Sequence, residues 1–420
     1  MLNRFRFRDS RDWFNEQRFG MFIHWGLYAI PAWHEQIEWR GRMPRKEYES
    51  LIHQFNPVKF DPGQWLDLAK SAGMEFVTLT SKHHDGFCMF DTKYTDFNIM
   101  NTPYKKDIVK MLAGAAERQG MKMGIYYSIP DWNHKNYPNQ ARHHEMWGMR
   151  RGDEPDYDKY FEFMENQVLE LCTNYGELGL FFWDVNTAGY NNRAFNDRIR
   201  GLQPSLVIND RGPDNGDFAT PERTVPEGRE FSRPVLAVQS LGRESWGYKT
   251  DEDYYNPKFI MQSIDKILAM GGNYMLNVGP RADGTIDERD TASLSRIGKW
   301  YNKVKEAFAP DTYPATSMIT DNSRDTAMKD NVLLTRRQNT VYVHAYEDLA
   351  TNSVSLKPFT ANPLKATLLN NGAPVETLVN KTPGYHQEDR AFLRLRNLPT
   401  AAIPDEPLVI KLEFDSSICE

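Results

Sequence analysis

In the run TSKHHDGFCMF, Thr80 to Phe90, two adjacent histidines and an Asp-Gly pair follow the apolar stretch MEFVTLT, Met74 to Thr80. Side-by-side imidazoles at the end of a buried strand suit three chemistries: metal ligation, general base catalysis, or hydrogen bonding to a substrate. A metal site needs three or four His, Cys or carboxylate ligands in a fitting geometry. Neighbouring strand residues point to opposite faces, so His83 and His84 share one metal only beyond the strand's end. His24 adds a third imidazole but no clear carboxylate accompanies it, and the sequence leads us to expect no metal and no other cofactor. Cys88, Cys172 and Cys419 form neither a CxxC pair nor a disulfide framework. The glycine-rich loop and lysine of phosphoryl transfer are missing, as is the GxSxG of serine hydrolases. What remains is a pair of carboxylates among Trp and His, the equipment of glycoside hydrolysis. One carboxylate attacks the anomeric carbon or activates water, and the other protonates the leaving oxygen. Asp184, directly after the apolar run LGLFFW, stands where a nucleophile would sit at a strand end. By position alone, a helix N-cap is an equal reading.

The elements that must position these residues recur along the chain. Short apolar runs start at Gly20, Met74, Met121, Leu178, Ser205, Pro234 and Asn273, and helical patterns such as KKDIVKMLAGAAERQG and PKFIMQSIDKILAMGG lie between them. Strands alternating with helices predict a parallel sheet. Seven or eight such units over about 300 residues predict a (β/α)8-like barrel. The doubly wound alternative would show a glycine-rich phosphate loop, and none is found. Active sites of such barrels form at the C-terminal strand ends. Those ends carry His24-Trp25, His83-His84-Asp85, Tyr127-Ser128, Trp183-Asp184, Asn209-Asp210-Arg211, Gln239 and Asn277. After Ala309-Pro310 the pattern turns short, alternating and β-rich, with a hairpin signal at Asn371-Gly372. We therefore expect a catalytic barrel over residues 1–310 and an antiparallel β-sandwich over 311–420.

Composition narrows the partners. Aromatic residues make up 13% of the chain, with 10 Trp, many beside polar groups as in HWGLY, PDWNH and ESWGY. Singly these are packing residues; as a set they suit sugars, which present both C–H faces and hydroxyls. The net charge of -6, without a basic stripe, argues against nucleic acid as a partner. No apolar run approaches the ~18 residues of a membrane helix. Met1 is followed at once by basic and aromatic residues, which reads as a cytoplasmic chain or one whose leader has been trimmed. Oligomeric state has no signature in the sequence.

The motifs GMFIHWG, SKHHDGF with DTKYTDFN, KKDIVK, IYYSIPDW, VINDRG, SWGY and GGNYMLNVGPRADGTI together resemble the α-L-fucosidases, the retaining enzymes of glycoside hydrolase family twenty-nine. The resemblance runs from about Arg18 to about Phe308 and implies a (β/α)8-like barrel followed by a β-sandwich. It implies that His24, His83 and His84 bond the sugar hydroxyls without a metal. It further implies that Glu38 and Trp39 contact the sugar, that Tyr127 and Arg211 are pocket residues, that Trp246 closes the pocket wall and that Asp184 is the nucleophile. Two departures stand out. Where the family often has Trp-x-Asp-Gly around the nucleophile, this chain has Phe182-Trp183-Asp184-Val185. The usual Trp-Glu pair before SWGY is replaced by Leu236-Ala237. A second branch of the family places its acid/base after the NDR motif, which selects Glu222 here. Glu244 is the runner-up, and Glu227 lies on a Pro-Gly-flanked loop. The implied function is a retaining exo-α-L-fucosidase that removes terminal α-L-fucosyl residues from oligosaccharides or glycoconjugates by double displacement. The alternatives are a non-hydrolytic sugar-binding homologue and a fucosidase with added galactosidase activity.

Overall fold

The computed structural model describes residues 5–319, 332–357, 359–381 and 391–415. Cys419 lies outside them. Seven parallel strands form the main sheet: β1 (Phe19–Ile23), β2 (Phe76–Lys82), β3 (Lys122–Ser128), β4 (Leu180–Asp184), β5 (Val207–Ile208), β6 (Leu236–Ser240) and β7 (Asn273–Val278). Their spatial order is β5-β4-β3-β2-β1-β7-β6. Isolated parallel bridges pair Phe218 with Asn209, Ala219 with Val235 and Glu222 with Val238. The segment from Phe218 to Glu222 thus spans the gap between β5 and β6 and curls the sheet into a barrel. β2 is buried along its whole length, as its near-continuous apolar run requires of a parallel strand covered on both faces.

The covering helices are α1 (Pro62–Ser71), α2 (Ile108–Gln119), α3 (Tyr157–Asn174), α4 (Arg193–Leu202), α5 (Pro257–Ala269) and α6 (Glu288–Val304). Their ends follow local chemistry. The Asp107 carboxylate accepts from the Lys110 amide to open α2, and Gly120, at φ 64°, closes it. Asn256 and Pro257 open α5 in the same spirit.

Beyond α6, antiparallel strands form a five-stranded sheet, β12-β15-β10-β9-β8, and a three-stranded sheet, β11-β14-β13. Here β8 is Tyr313–Pro314, β9 Leu333–Arg337, β10 Thr340–Ala345, β11 Val354–Leu356, β12 Lys365–Leu368, β13 Glu376–Asn380, β14 Phe392–Arg396 and β15 Leu408–Glu413. Val343 and Ile410 of one sheet and Val354, Leu356 and Leu393 of the other share one apolar core, which makes the pair a β-sandwich. Gly372, at φ 75°, turns the chain after β12, where the Asn-Gly signal stands. No helix among the described residues is long and apolar enough to cross a membrane.

Candidate active site

The C-terminal strand ends converge on a cavity of about 350 Å³, on the scale of small-ligand sites. Asp184, the last residue of β4, lines it and is 8% exposed. The Tyr126 hydroxyl donates to its Oδ2 at 2.6 Å and Arg211 Nη1 donates to its Oδ1 at 2.8 Å. Burial alone would raise the pKa of this carboxyl. The Arg211 charge, with the bonds from Tyr126 and Arg211, outweighs burial and holds it below the ordinary carboxylate value. Asp184 is not a helix cap, because the next helix, α4, begins at Arg193 behind Asn192.

Arg211 joins two carboxylates. Its Nη2 lies 2.8 Å from Glu222 Oε2, while Nε and Nη2 also donate to the hydroxyl and carbonyl of Thr220. It pairs with neither Asp210 nor Asp214: Asp210 accepts from Thr220 and Asp214 from Asn196 and Arg200. Glu222 lines the cavity from the segment between β5 and β6. Glu244 also lines it, 54% exposed at the side chain and 3.2 Å from Lys249 Nζ. Glu227 does not line it; it is exposed and its charge acts on Tyr346 of the C-terminal region.

The histidines are positioned through their Nδ1 atoms. Asn277 Nδ2 donates to the Trp246 carbonyl, so its Oδ1 accepts from His24 Nδ1 at 2.6 Å and leaves His24 Nε2 with a lone pair. Ser128 gives its proton to the Pro130 carbonyl, so it accepts from His84 Nδ1 at 2.6 Å. His84 Nε2 then lies 3.7 Å from Asp184 Oδ2. His83 Nδ1 is buried without a partner. Burial lowers the pKa of His24 to about 4 and that of His83 and His84 well below the ordinary value, so all three are neutral. Among the described residues no group of three or more His, Cys, Asp or Glu could hold a metal ion. Gly86, at φ 78°, allows the chain past the histidines to turn against Asp131, whose Oδ1 would lie 2.3 Å from an added Cβ.

Three expected pocket residues fall elsewhere. Tyr127 is fully buried on the outer face of β3, where its hydroxyl donates to Gln167 Oε1 of α3 at 2.6 Å. Tyr126 faces the cavity instead. Side chains alternate along a strand, and the register sets Tyr126 beside Phe182 and Ser128 beside Asp184. An inward Asp184 therefore puts Phe182, Tyr126 and Ser128 inward and Tyr127 and Trp183 outward. Glu38 is 0% exposed, 3.8 Å from Arg45 Nε and 3.4 Å from Asn133 Nδ2, and outside the cavity lining. Trp39 stacks on His144 and Trp147, also outside the lining. The cavity-lining glutamate of HEQIEW is Glu35, which accepts from Ser245 Oγ at 2.8 Å and Trp246 N at 2.9 Å. It thereby locks the SWGY loop, and Trp246 stacks on His24 with centroids 5.3 Å apart. His143 and His144 line the cavity too; the signal for them was a second His-His pair, in ARHHEMW, that follows no strand.

A curled parallel barrel whose strand ends offer two carboxylates, neutral imidazoles and an aromatic wall defines a carbohydrate-cleaving hydrolase. The family model for α-L-fucosidase matches residues 3–306. Human tissue α-L-fucosidase is 26% identical over 440 residues, covering 95% of this chain and 88% of the relative. Among solved structures, α-L-fucosidase isoenzyme 1 of Paenibacillus thiaminolyticus superposes with a TM-score of 0.83 at 32% identity, covering 97% of this chain and 99% of that one. A Bacteroides thetaiotaomicron α-L-fucosidase, trapped as a covalent intermediate with 2-fluoro-fucosyl fluoride, superposes with a TM-score of 0.79 at 26% identity, covering 98% and 97%. The chain belongs to the α-L-fucosidase family of glycoside hydrolases.

Proposed function

We propose that this chain is a retaining exo-α-L-fucosidase in which Asp184 is the nucleophile and Glu222 the acid/base. The observation that carries the assignment is the Arg211 fork, which holds Asp184 and Glu222 from one guanidinium in one cavity. Asp184, ionised and aimed by Tyr126 and Arg211, attacks the anomeric carbon. The bond from that carbon to the leaving oxygen breaks as Glu222 gives the oxygen its proton. Water then delivers a proton to Glu222 and its hydroxyl to the anomeric carbon, and the ester to Asp184 breaks. Two displacements return the starting configuration. The lone pair on His24 Nε2 accepts from a sugar hydroxyl, His83 and His84 supply further neutral contacts, and Glu35 keeps Trp246 against the ring. The substrate is a fucosylated carbohydrate.

The test is to incubate the enzyme with 2-deoxy-2-fluoro-fucosyl fluoride and map the label by mass spectrometry. Asp184 carries the fucosyl group, and Asp184→Asn folds normally with turnover reduced by orders of magnitude. A label elsewhere, or product of inverted configuration by NMR, overturns the assignment.

A further inference from the structure

The cavity holds cations that the two-carboxylate chemistry leaves unused. Its acidic side chains are satisfied: Asp184 and Glu222 by Arg211, Glu35 by Ser245 and the Trp246 amide, Glu244 by Lys249. Arg40 and Arg223 also line it, and neither has a carboxylate within ion-pair distance among the described residues. Arg40 spends Nε on Gln36 Oε1 at 2.7 Å, which leaves the two terminal nitrogens of its fork for another acceptor. Arg223 reaches only the carbonyl oxygens of Gly242 and Arg243, which do not neutralise it, and its guanidinium lies 4.4 Å over the Trp246 ring. Both arginines line the same cavity as His34. Uncompensated guanidinium pairs are unexpected in a chain of net charge -6.

Backbone geometry supports a purpose. Neighbouring residues of an extended segment point to opposite sides, yet Glu222 and Arg223 both line the cavity. The reason is that Arg223 sits at φ 51°, in the left-handed region that residues other than glycine seldom adopt. Strain of this kind persists where the surroundings demand it, and it clusters at ligand-binding positions. The proton donor must stand beside the glycosidic oxygen, so an arginine next to it in the chain and in the cavity is on the leaving-group side. The wall continues outward through Trp39, which lies under Arg40 and stacks on Trp147, itself 60% exposed. Such an aromatic face suits a sugar ring.

We infer that Arg40 and Arg223 form an anion-binding subsite at the cavity mouth, which takes a carboxylate or sulfate group carried by the leaving group of the fucoside. The inference rests on the fucosidase reading and on Glu222 as proton donor. Arg40 offers the fork that matches either oxyanion through charge-assisted bonds, and Arg223, with Nη1 on two carbonyls and Nη2 buried without a partner, adds its charge.

The experiment compares matched aryl α-L-fucosides, 4-carboxyphenyl against 4-carbamoylphenyl and 4-sulfophenyl against 4-sulfamoylphenyl, using the wild type, Arg40→Gln and Arg223→Gln. Wild-type kcat/KM favours at least one anion over its neutral counterpart by about tenfold, the scale of one charge-assisted bond. Arg40→Gln removes most of that preference while 4-nitrophenyl fucoside is still turned over, and added salt shrinks it, since Arg40 is exposed. A preference confined to one pair identifies a carboxylate or a sulfate-like sulfonate as the group bound. Arg223→Gln follows the same pattern; should it fail to fold, Arg40→Gln decides. Equal rates on charged and neutral partners, or a preference that survives in Arg40→Gln, overturns the subsite alone. No turnover of any fucoside overturns the fucosidase reading, and the subsite with it.

Discussion

Arg211 shows how a single side chain can order an active site. Its planar fork meets two carboxylates at 2.8 Å each, a geometry that a lysine's point charge cannot reproduce. Most of its donors are spent on protein, so it orients Asp184 and Glu222 more than it grips the sugar. The roles of the two glutamates at the mouth separate by leaving-group dependence. Glu222→Ala loses far more activity on natural fucosides than on a dinitrophenyl fucoside, whose good leaving group departs unprotonated, and azide accelerates the variant and yields fucosyl azide. Glu244→Ala, whose carboxylate already faces Lys249, keeps near wild-type rates on both substrates. The reverse pattern transfers the role to Glu244. A second prediction concerns pH. Burial lowers the pKa of His24 and His144 from 6.5 to about 4, so both stay neutral as pH falls through the ordinary histidine range. The profile of kcat/KM therefore shows no acid inflection at 6.5. Activity falls only as pH approaches 4, where protonated His24 no longer accepts from a hydroxyl. An acid limb centred at 6.5 contradicts the neutral-imidazole pocket.

At the scale of elements, the turn after β4 carries a visible cost. Val185, directly after Asp184, sits at φ 52°, where a β-branched side chain is strained and where the family often has glycine. Val185→Gly removes a penalty of about 1–2 kcal/mol and adds a chain-entropy cost of about 0.5–1 kcal/mol. The expected outcome is a net gain of up to about 1.5 kcal/mol in urea unfolding. A loss of stability shows instead that the isopropyl group packs well enough to repay the strain. The strands themselves were easy to anticipate because each buried run is nearly all apolar. The segment from Phe218 to Glu222 was not, because it completes the barrel through isolated bridges without a strand's alternation.

Across the whole molecule, barrel and sandwich meet through a buried polar link. His344 of β10 contacts Asp265 Oδ1 of α5 at 2.8 Å and Thr335 Oγ1 of β9 at 2.9 Å, with His344 and Asp265 both 0% exposed. His344→Leu leaves the Asp265 carboxylate buried without its imidazole. Leaving a buried polar group without its hydrogen-bond partner costs about 1–3 kcal/mol, read as a lower urea midpoint, while the kcat of the folded variant stays near wild type because the link lies outside the cavity lining. A shift below about 1 kcal/mol means that the interface relaxes or admits water.

What the sequence determined by itself was the alternation of strands and helices, the β-rich C-terminal region and the motif set that implies the family. The same reading selected Asp184, Arg211, Glu222, Trp246 and the three histidines that the structure brings to one cavity. These follow from local signals, since apolar runs bound the strands and polar groups mark their ends. Tertiary structure alone decided between Tyr126 and Tyr127, because facing is a matter of parity along β3 and only the register with β4 ties that parity to Asp184. It also decided between Glu35 and Glu38, which lie three residues apart where a turn runs into the one-turn helix Ile37–Arg40, too short to show a period. His143, His144 and Arg223 reach the cavity from loops, His144 and Arg223 at left-handed backbone positions, and Arg40 from the end of the one-turn helix Ile37–Arg40. Their placement depends on contacts with residues distant in sequence, and no local pattern encodes it.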